Sequence, residues 1–338
     1  MRPARLLLPV SGLALLALLL SQVDFAALGQ HLTQVGAAGF LGVVIVHAWS
    51  FWFDVVLWQL AFTSPRAALR HNGEFYLIRL IGEAYNNALP LASVGGEPVK
   101  AKLLRDHLGI DYTQSGVAFL VAKTANLIAL VIFLAIGFAF MLADMRFSAA
   151  YRTVAGMGLG FFAFSILILV VMQQTRAAPL FKRLMARRAD HPWVARALAA
   201  LAHFDDQLAA CYRGAPRRFL WIVMLALITW LAGIVEIWII LKAVDAPVTL
   251  QEAWVVEAAV QLVRTAAFFI PSGLGVVDGS FVLVVGIITG SPGLGVLVAV
   301  VRRARDLLWI AAGFLAGLRY LGRRGLKRLW REGSQQGE

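Results

Sequence analysis

Cysteine occurs once in the 338 residues, at Cys211, which excludes an intrachain disulfide and a cysteine zinc cluster. Charge is scarce as well: Asp, Glu, Lys and Arg make up 15% of the chain, against roughly 25% in a soluble globular domain. The six histidines are His31, His47, His71, His107, His191 and His203, and no two stand four apart as a helical metal pair would. There is no Walker loop, dinucleotide fingerprint or nucleophile elbow. These absences argue against a cofactor enzyme, so no cofactor, no bound metal and no catalytic residue is expected.

What the chain has in abundance is apolar surface. Hydrophobic residues make up 60% of it and the mean hydropathy is +0.76, too much for the interior of a soluble chain of this length. The expected class is an all-α integral membrane protein. Lys and Arg outnumber Asp and Glu by 31 to 19, a net charge of +12. In a soluble chain that excess would suggest nucleic acid. Here it fits loops that obey the positive-inside rule, and no nucleic-acid partner is expected.

A first apolar run, 6–20, follows Arg2 and Arg5 and lacks a small-residue cleavage site, so it reads as a retained helix. Further spans are expected at about 40–62, 115–142, 153–172, 219–241 and 293–321, each long enough to cross with some tilt. Two more apolar segments, 74–99 and 252–290, are interrupted by Pro90 with Gly95 and Gly96, and by Pro271 with Gly273 and Gly275. Proline removes a donor and glycine frees the backbone, so each should be two half-helices joined by a bend.

Of the 31 basic residues, 22 fall in segments that would share one side, and three, Arg146, Arg152 and Lys242, face the other. The layout that satisfies this count has six full crossings with both termini in the cytoplasm of a cell (inner) membrane protein. Segment 74–99 is then a re-entrant hairpin from the cytoplasm and 252–290 one from outside. The whole chain, 1–338, is read as a single membrane domain: a first half, 1–142, a cytoplasmic connector, 173–218, a second half, 219–321, and a basic cytoplasmic tail, 322–338. Within the connector, Trp193, Ala197, Leu201, Phe204 and Leu208 repeat at helical spacing opposite Arg196, Asp205 and Asp206, which predicts an interfacial helix.

The two broken segments share spacings. Pro90 precedes Glu97, and Pro271 precedes Asp278, by the same seven residues; Glu83 and Arg264 each stand seven before their proline. Lys123 and Arg303 follow at similar distances, with Asn126 and Asp306 three residues beyond. With opposite sidedness this is an inverted repeat, a plan found in many secondary transporters. A charge at membrane depth costs about 2.5–3.5 kcal/mol on insertion scales, so it must be paired, wet or functional. Glu257, Gln261 and Arg264 lie on one helix face, as do Arg79, Glu83 and Asn87. Glu83 with Arg264 is the expected ion pair, and Asp54 and Glu236 read as protonated or locally hydrogen-bonded carboxyls. Arg302, Arg303 and Arg305 exceed what one neighbouring acid can neutralise.

The runs from Gly82 to Pro90, from Gly95 to Lys100 and from Ile270 to Gly279 resemble the two signature segments of the lysylphosphatidylglycerol synthase transmembrane-domain family, flippase-like membrane proteins. Arg302, Arg303, Arg305 and Asp306 look like the basic segment of its subgroup associated with hopanoid biosynthesis. The resemblance covers about 40–320. It departs at Asp278, where members usually carry Glu, at Lys100, where Arg is common, and at Lys123, which is less expected. Members that make lysylphosphatidylglycerol carry a soluble aminoacyltransferase domain after the membrane part, and only a short tail follows the last span here, so that reaction is not expected of this chain.

The resulting expectation is a lipid transporter whose substrate is a membrane amphiphile of hopanoid, polyprenyl or anionic phospholipid type. Lys123, Arg302, Arg303 and Arg305 would bind its head, with Gly95, Gly96, Gly273 and Gly275 as flexible donors. Glu97, Asp278, Glu83, Arg264, Asp306 and Asn87 would gate or couple protons, and Pro90 and Pro271 would set the bends. Lipid-biosynthesis proteins are possible partners. The alternatives are an intramembrane lipid-modifying enzyme with Glu97 and Asp278 as an acid/base pair, or a scaffold for a lipid-synthesis complex.

Overall fold

A computed structural model describes residues 25–88, 95–174, 192–267 and 275–335. Among these residues the regular structure is entirely helical, in eleven helices. The apolar run 6–20, Pro90, Pro271 and Gly273 lie outside the described residues, as do the side chains of Asn87 and of the tail.

Helix α1 spans Phe25–Leu60 and bends at Gly36, where φ is 55° and ψ −172°, a conformation that glycine adopts without a Cβ clash. The part after this bend corresponds to the span expected at 40–62; the helical residues before it are an addition. Helix α2, Pro65–Leu69, leads into α3, Asn72–Ala88, and α4, Glu97–Leu108. The first broken segment is therefore two helices, but the second runs past the expected end at 99. It stops at Gly109, whose φ of 67° closes the helix in the left-handed conformation.

Helix α5, Tyr112–Ala143, starts at Asp111, whose carboxylate accepts the Gln114 N–H at 2.8 Å. Then come α6, Ala149–Gln174, α7, Pro192–Arg213, and α8, Pro216–Lys242. Helices α9, Leu250–Ala266, and α10, Val276–Thr289, form the second broken segment, and α11 runs from Pro292 to Gln335. The helices long and apolar enough to cross a membrane among the described residues number four: α1, α5, α6 and α8. Helix α11, expected to span at 293–321, is not among them because Arg302, Arg303, Arg305 and Asp306 interrupt its apolar run.

Helix α8 is central, packing on α1, α5 and α9, while α11 packs on α10, α3 and α1. Two apolar cores flank it, one around Phe133, Ile237, Val256 and Leu297, the other around Val55, Phe75, Leu104 and Val121. By contrast α6 exposes Val154, Phe161 and Val171 on its outer surface, as expected of a helix whose solvent is lipid. In α7, Leu208 and Cys211 are buried on the helix's inner face as the spacing predicted for Leu208, but Asp205 is buried too. The expected polar face is thus partly turned inward.

Where α5 ends, a clamp joins three elements. Arg146 pairs with Asp144 at 2.7 Å and with Glu252 at the start of α9, and it donates to the Ile288 carbonyl of α10 at 2.8 Å. Glu252 is itself fixed by a capping box with Thr249. The Arg146 guanidinium holds the Asp144 carboxyl below the usual carboxylate range. A depressed carboxylate pKa contributes stability that is present above the unfolded-state value and lost as pH falls through the folded one. The difference in unfolding temperature between the wild type and Asp144→Asn, followed in detergent, should therefore be full near neutrality and close below about pH 4. A gap that stays constant to lower pH would remove Asp144 from the clamp's acid response.

Candidate functional site

Three helices carry polar side chains inward at helical spacing. On α9, Glu257, Gln261 and Arg264 share one face, and on α11 Arg302, Arg305, Asp306 and Trp309 do the same. Helix α8 adds Glu236 and Thr229, α1 adds His47 and Ser50, and α3 adds Glu83. Together they line a cavity of about 200 Å³ between the helices.

One side of this cavity is a ladder of alternating charge. Arg302 pairs with Glu257 and lies 3.3 Å from Glu236; Arg305 pairs with Glu236 and donates to Asp306 at 2.6 Å. The Gln261 amide donates to Glu257 at 2.6 Å, and His47 Nδ1 lies 3.4 Å from Glu236. The side chains of Glu236, Glu257 and Arg305 are 5% exposed or less. Gly233 makes the closeness possible, since a Cβ there would meet the Glu257 carboxylate.

Arg264 behaves differently. It lines the same cavity and is exposed; Asp306 and Glu257 act on it electrostatically, without a hydrogen bond to either. In the same cavity, the buried indole Nε1 of Trp309 has no hydrogen-bond acceptor among the described residues. The cavity thus sets Arg264 and the Trp309 indole donor alongside the ladder.

The remaining candidates lie in separate pairs. Arg303 forks onto Asp278, at 3.0 and 3.1 Å, and Asp278 also accepts the Gly275 N–H at 3.0 Å. Glu97, opening α4, pairs with Lys100 at 2.6 Å. The Lys100 side chain is only 2% exposed, with its ammonium 5.1 Å from the Trp58 ring and its stem lying where a Cβ on Gly82 would be. Gly96 donates to Asn86 Oδ1 at 2.7 Å; Gly95 is buried beside it.

Several expectations need correction. Glu83 and Arg264 reach one cavity but form no ion pair. Asp54 and Glu236 are ion-paired with arginines, not isolated carboxyls: Arg79 bonds Asp54, and Glu236 holds Arg302 and Arg305. Lys123 is exposed on α5 and away from the cavity, because its position on the helix points it outward, so it does not join Arg303. Lys100, counted as a loop charge, is buried. His47 and Trp309 were missed, because single aromatic or imidazole residues in apolar helices carry no spacing signal.

A family model described as "Lysylphosphatidylglycerol synthase TM region" matches residues 5–313. The chain belongs to this family. It is accordingly a membrane protein of a lipid-related family. No match to a curated protein or to a solved structure was found.

Removing one partner of a buried ion pair leaves the other charge uncompensated and costs about 3–5 kcal/mol. Arg302→Ala is therefore expected to destabilise the family member by that amount in chemical unfolding, whereas Lys123→Ala should change it by less than about 0.5 kcal/mol. Equal effects would mean that the ladder is not what holds α8, α9 and α11 together.

Proposed function

We propose that the protein is a lipid transporter of flippase type, residing in the cell (inner) membrane with its termini in the cytoplasm and its two broken segments entering from opposite faces. An amphiphile would seat its polar head in the cavity between α1, α3, α8, α9 and α11 while its tails remain in lipid. The barrier lowered is then that of drawing a polar head through hydrocarbon, which costs several kcal/mol for each unsatisfied group. Arg264 carries this reading: a cation exposed to a polar cavity and not hydrogen-bonded to any acid among the described residues suits an anionic ligand group. The indole donor of Trp309 in the same cavity, without an acceptor among the described residues, supports the same reading.

The enzyme alternative finds less support. Glu97 is engaged by Lys100 and Asp278 by Arg303, on different helix pairs, and no hydrogen bond links the two carboxylates. An acid/base pair needs both groups within reach of one reacting atom.

Leaflet exchange of fluorescent phosphatidylglycerol in proteoliposomes tests the proposal. A hydrogen bond to a charged group contributes about 1.5–3 kcal/mol, so Arg264→Ala should slow exchange by roughly tenfold or more. Its unfolding temperature should fall by less than that of Arg302→Ala, because no hydrogen-bonded ion pair among the described residues is lost. Undiminished exchange would overturn the transport reading of this cavity.

A further inference from the structure

Hydrogen-bonding capacity that the chain does not use itself narrows the class of head group, given the transport reading, on which this inference rests. Arg264 and the indole Nε1 of Trp309 are donors without a hydrogen-bonded acid or acceptor among the described residues. The rest of the lining offers the opposite. Ser50 donates its hydroxyl proton to the Thr229 carbonyl at 3.2 Å, and Thr229 donates its own to the Ala226 carbonyl at 2.7 Å. A hydroxyl has one proton and two lone pairs, so both oxygens remain acceptors in the cavity they line. Gln261 gives an amide N–H to Glu257 at 2.6 Å, which leaves its Oε1 as a further acceptor. Asp306 receives Arg305 on one oxygen, Oδ1, at 3.2 and 2.6 Å; its Oδ2 accepts no hydrogen bond among the described residues, and the side chain is 33% exposed.

A ligand that matches this lining brings an anionic oxygen for Arg264 and Trp309, and hydrogen-bond donors for Ser50, Thr229, Gln261 and Asp306. Hydroxyl and ammonium groups both donate. The ammonium fits less well, because each lining carboxylate already has a guanidinium acting on it. Arg302 pairs with Glu257 and Arg305 with Glu236. Arg305, Arg264 and Arg302 all act on Asp306, and Glu83 acts on Arg79, one turn before it on α3. A cationic head would enter among these guanidiniums, where like charges repel strongly in a water-poor space. Hydroxyls meet the same acceptors without that repulsion. A phosphodiester lacking hydroxyls would leave the acceptors to trapped water.

We propose that the cavity is a site for a polyol phosphodiester: Arg264 and Trp309 hold a phosphate oxygen, and Ser50, Thr229, Gln261 and Asp306 accept from hydroxyls of the glycerol or sugar attached to it. Heads that carry an ammonium in place of those hydroxyls bind less well. Part of this selectivity lies on α1 and α8, through Ser50 and Thr229. Neither belongs to the charge ladder, so both can be replaced without breaking an ion pair.

Binding of water-soluble dihexanoyl lipids to the full chain in detergent tests this. Single hydrogen bonds contribute modestly, so the added bonds should make dihexanoylphosphatidylglycerol bind about tenfold more tightly than dihexanoylphosphatidylmethanol, which carries the same phosphodiester charge without hydroxyls. Dihexanoylphosphatidylethanolamine should also bind more weakly than the phosphatidylglycerol. Ser50→Ala combined with Thr229→Val should narrow the tenfold gap to less than about threefold. A gap that persists unchanged in this variant would overturn the assignment of the hydroxyls. Should the variant fail to fold, the wild type decides alone: equal affinity for phosphatidylglycerol and phosphatidylmethanol, or tighter binding of phosphatidylethanolamine, would overturn the polyol assignment.

Glycerophosphoglycerol, the same head without acyl chains, separates a lipid from a free polyol phosphate. It should bind more weakly than the lipid, and equal affinity would overturn the lipid as the ligand. Loss of the polyol preference alone leaves the transport reading standing, because that reading depends on slowed exchange in Arg264→Ala. Failure of both phosphatidylglycerol and phosphatidylmethanol to bind would overturn the two together.

Discussion

Glu236 is the residue on which the interior depends. A carboxylate 2% exposed, inside a helix that is otherwise apolar, cannot remain ionised without counter-charges, because desolvation costs several kcal/mol per ion. It obtains them from Arg302 and Arg305 on a helix far away in sequence, and those arginines reach on to Glu257 and Asp306. The pairs are directional, so α8, α9 and α11 are held in one register. Apolar packing alone would tolerate sliding; a forked guanidinium between two carboxylates does not.

The same requirement explains the outlying pairs. Asp54 on α1 is met by Arg79 on α3, Glu97 by Lys100 within α4, and Asp278 on α10 by Arg303 on α11. In each case the acid lies where an unpaired charge would face hydrocarbon or apolar protein, and the partner is one turn away or on the adjoining helix. Lys100 adds a second device: its stem is covered by Gly82 and its ammonium lies near the Trp58 ring. Burying a lysine this deeply depends on having both an acid and an aromatic wall.

Much of this was legible in the chain. The face Glu257, Gln261 and Arg264 follows from spacing alone, and the two broken segments appear as helix pairs where proline and glycine interrupt the apolar runs. What could not be read was which charges meet. Arg305 and Glu236 are 69 positions apart and Arg79 and Asp54 are 25 apart, and periodicity carries no information across such separations. That is why Glu236 looked isolated. Lys100 was misplaced for a related reason: a count of basic residues sees sequence position and not burial. Lys123 matched Arg303 in spacing, yet its position on α5 turns it outward.

Arginine content is consequently a poor guide to anion binding in such a bundle. Arg302, Arg303 and Arg305 form the densest basic run in the apolar part of the chain, but each is consumed by an acid of the protein. Their number reflects the carboxylates on neighbouring helices. The lining arginine outside this network of hydrogen-bonded pairs lies on a different helix, at Arg264. Family membership fixes the setting as a lipid-related membrane protein; within it, pairing the buried acids with their bases separates the arginines that hold the helices together from the one that faces the cavity without such a bond.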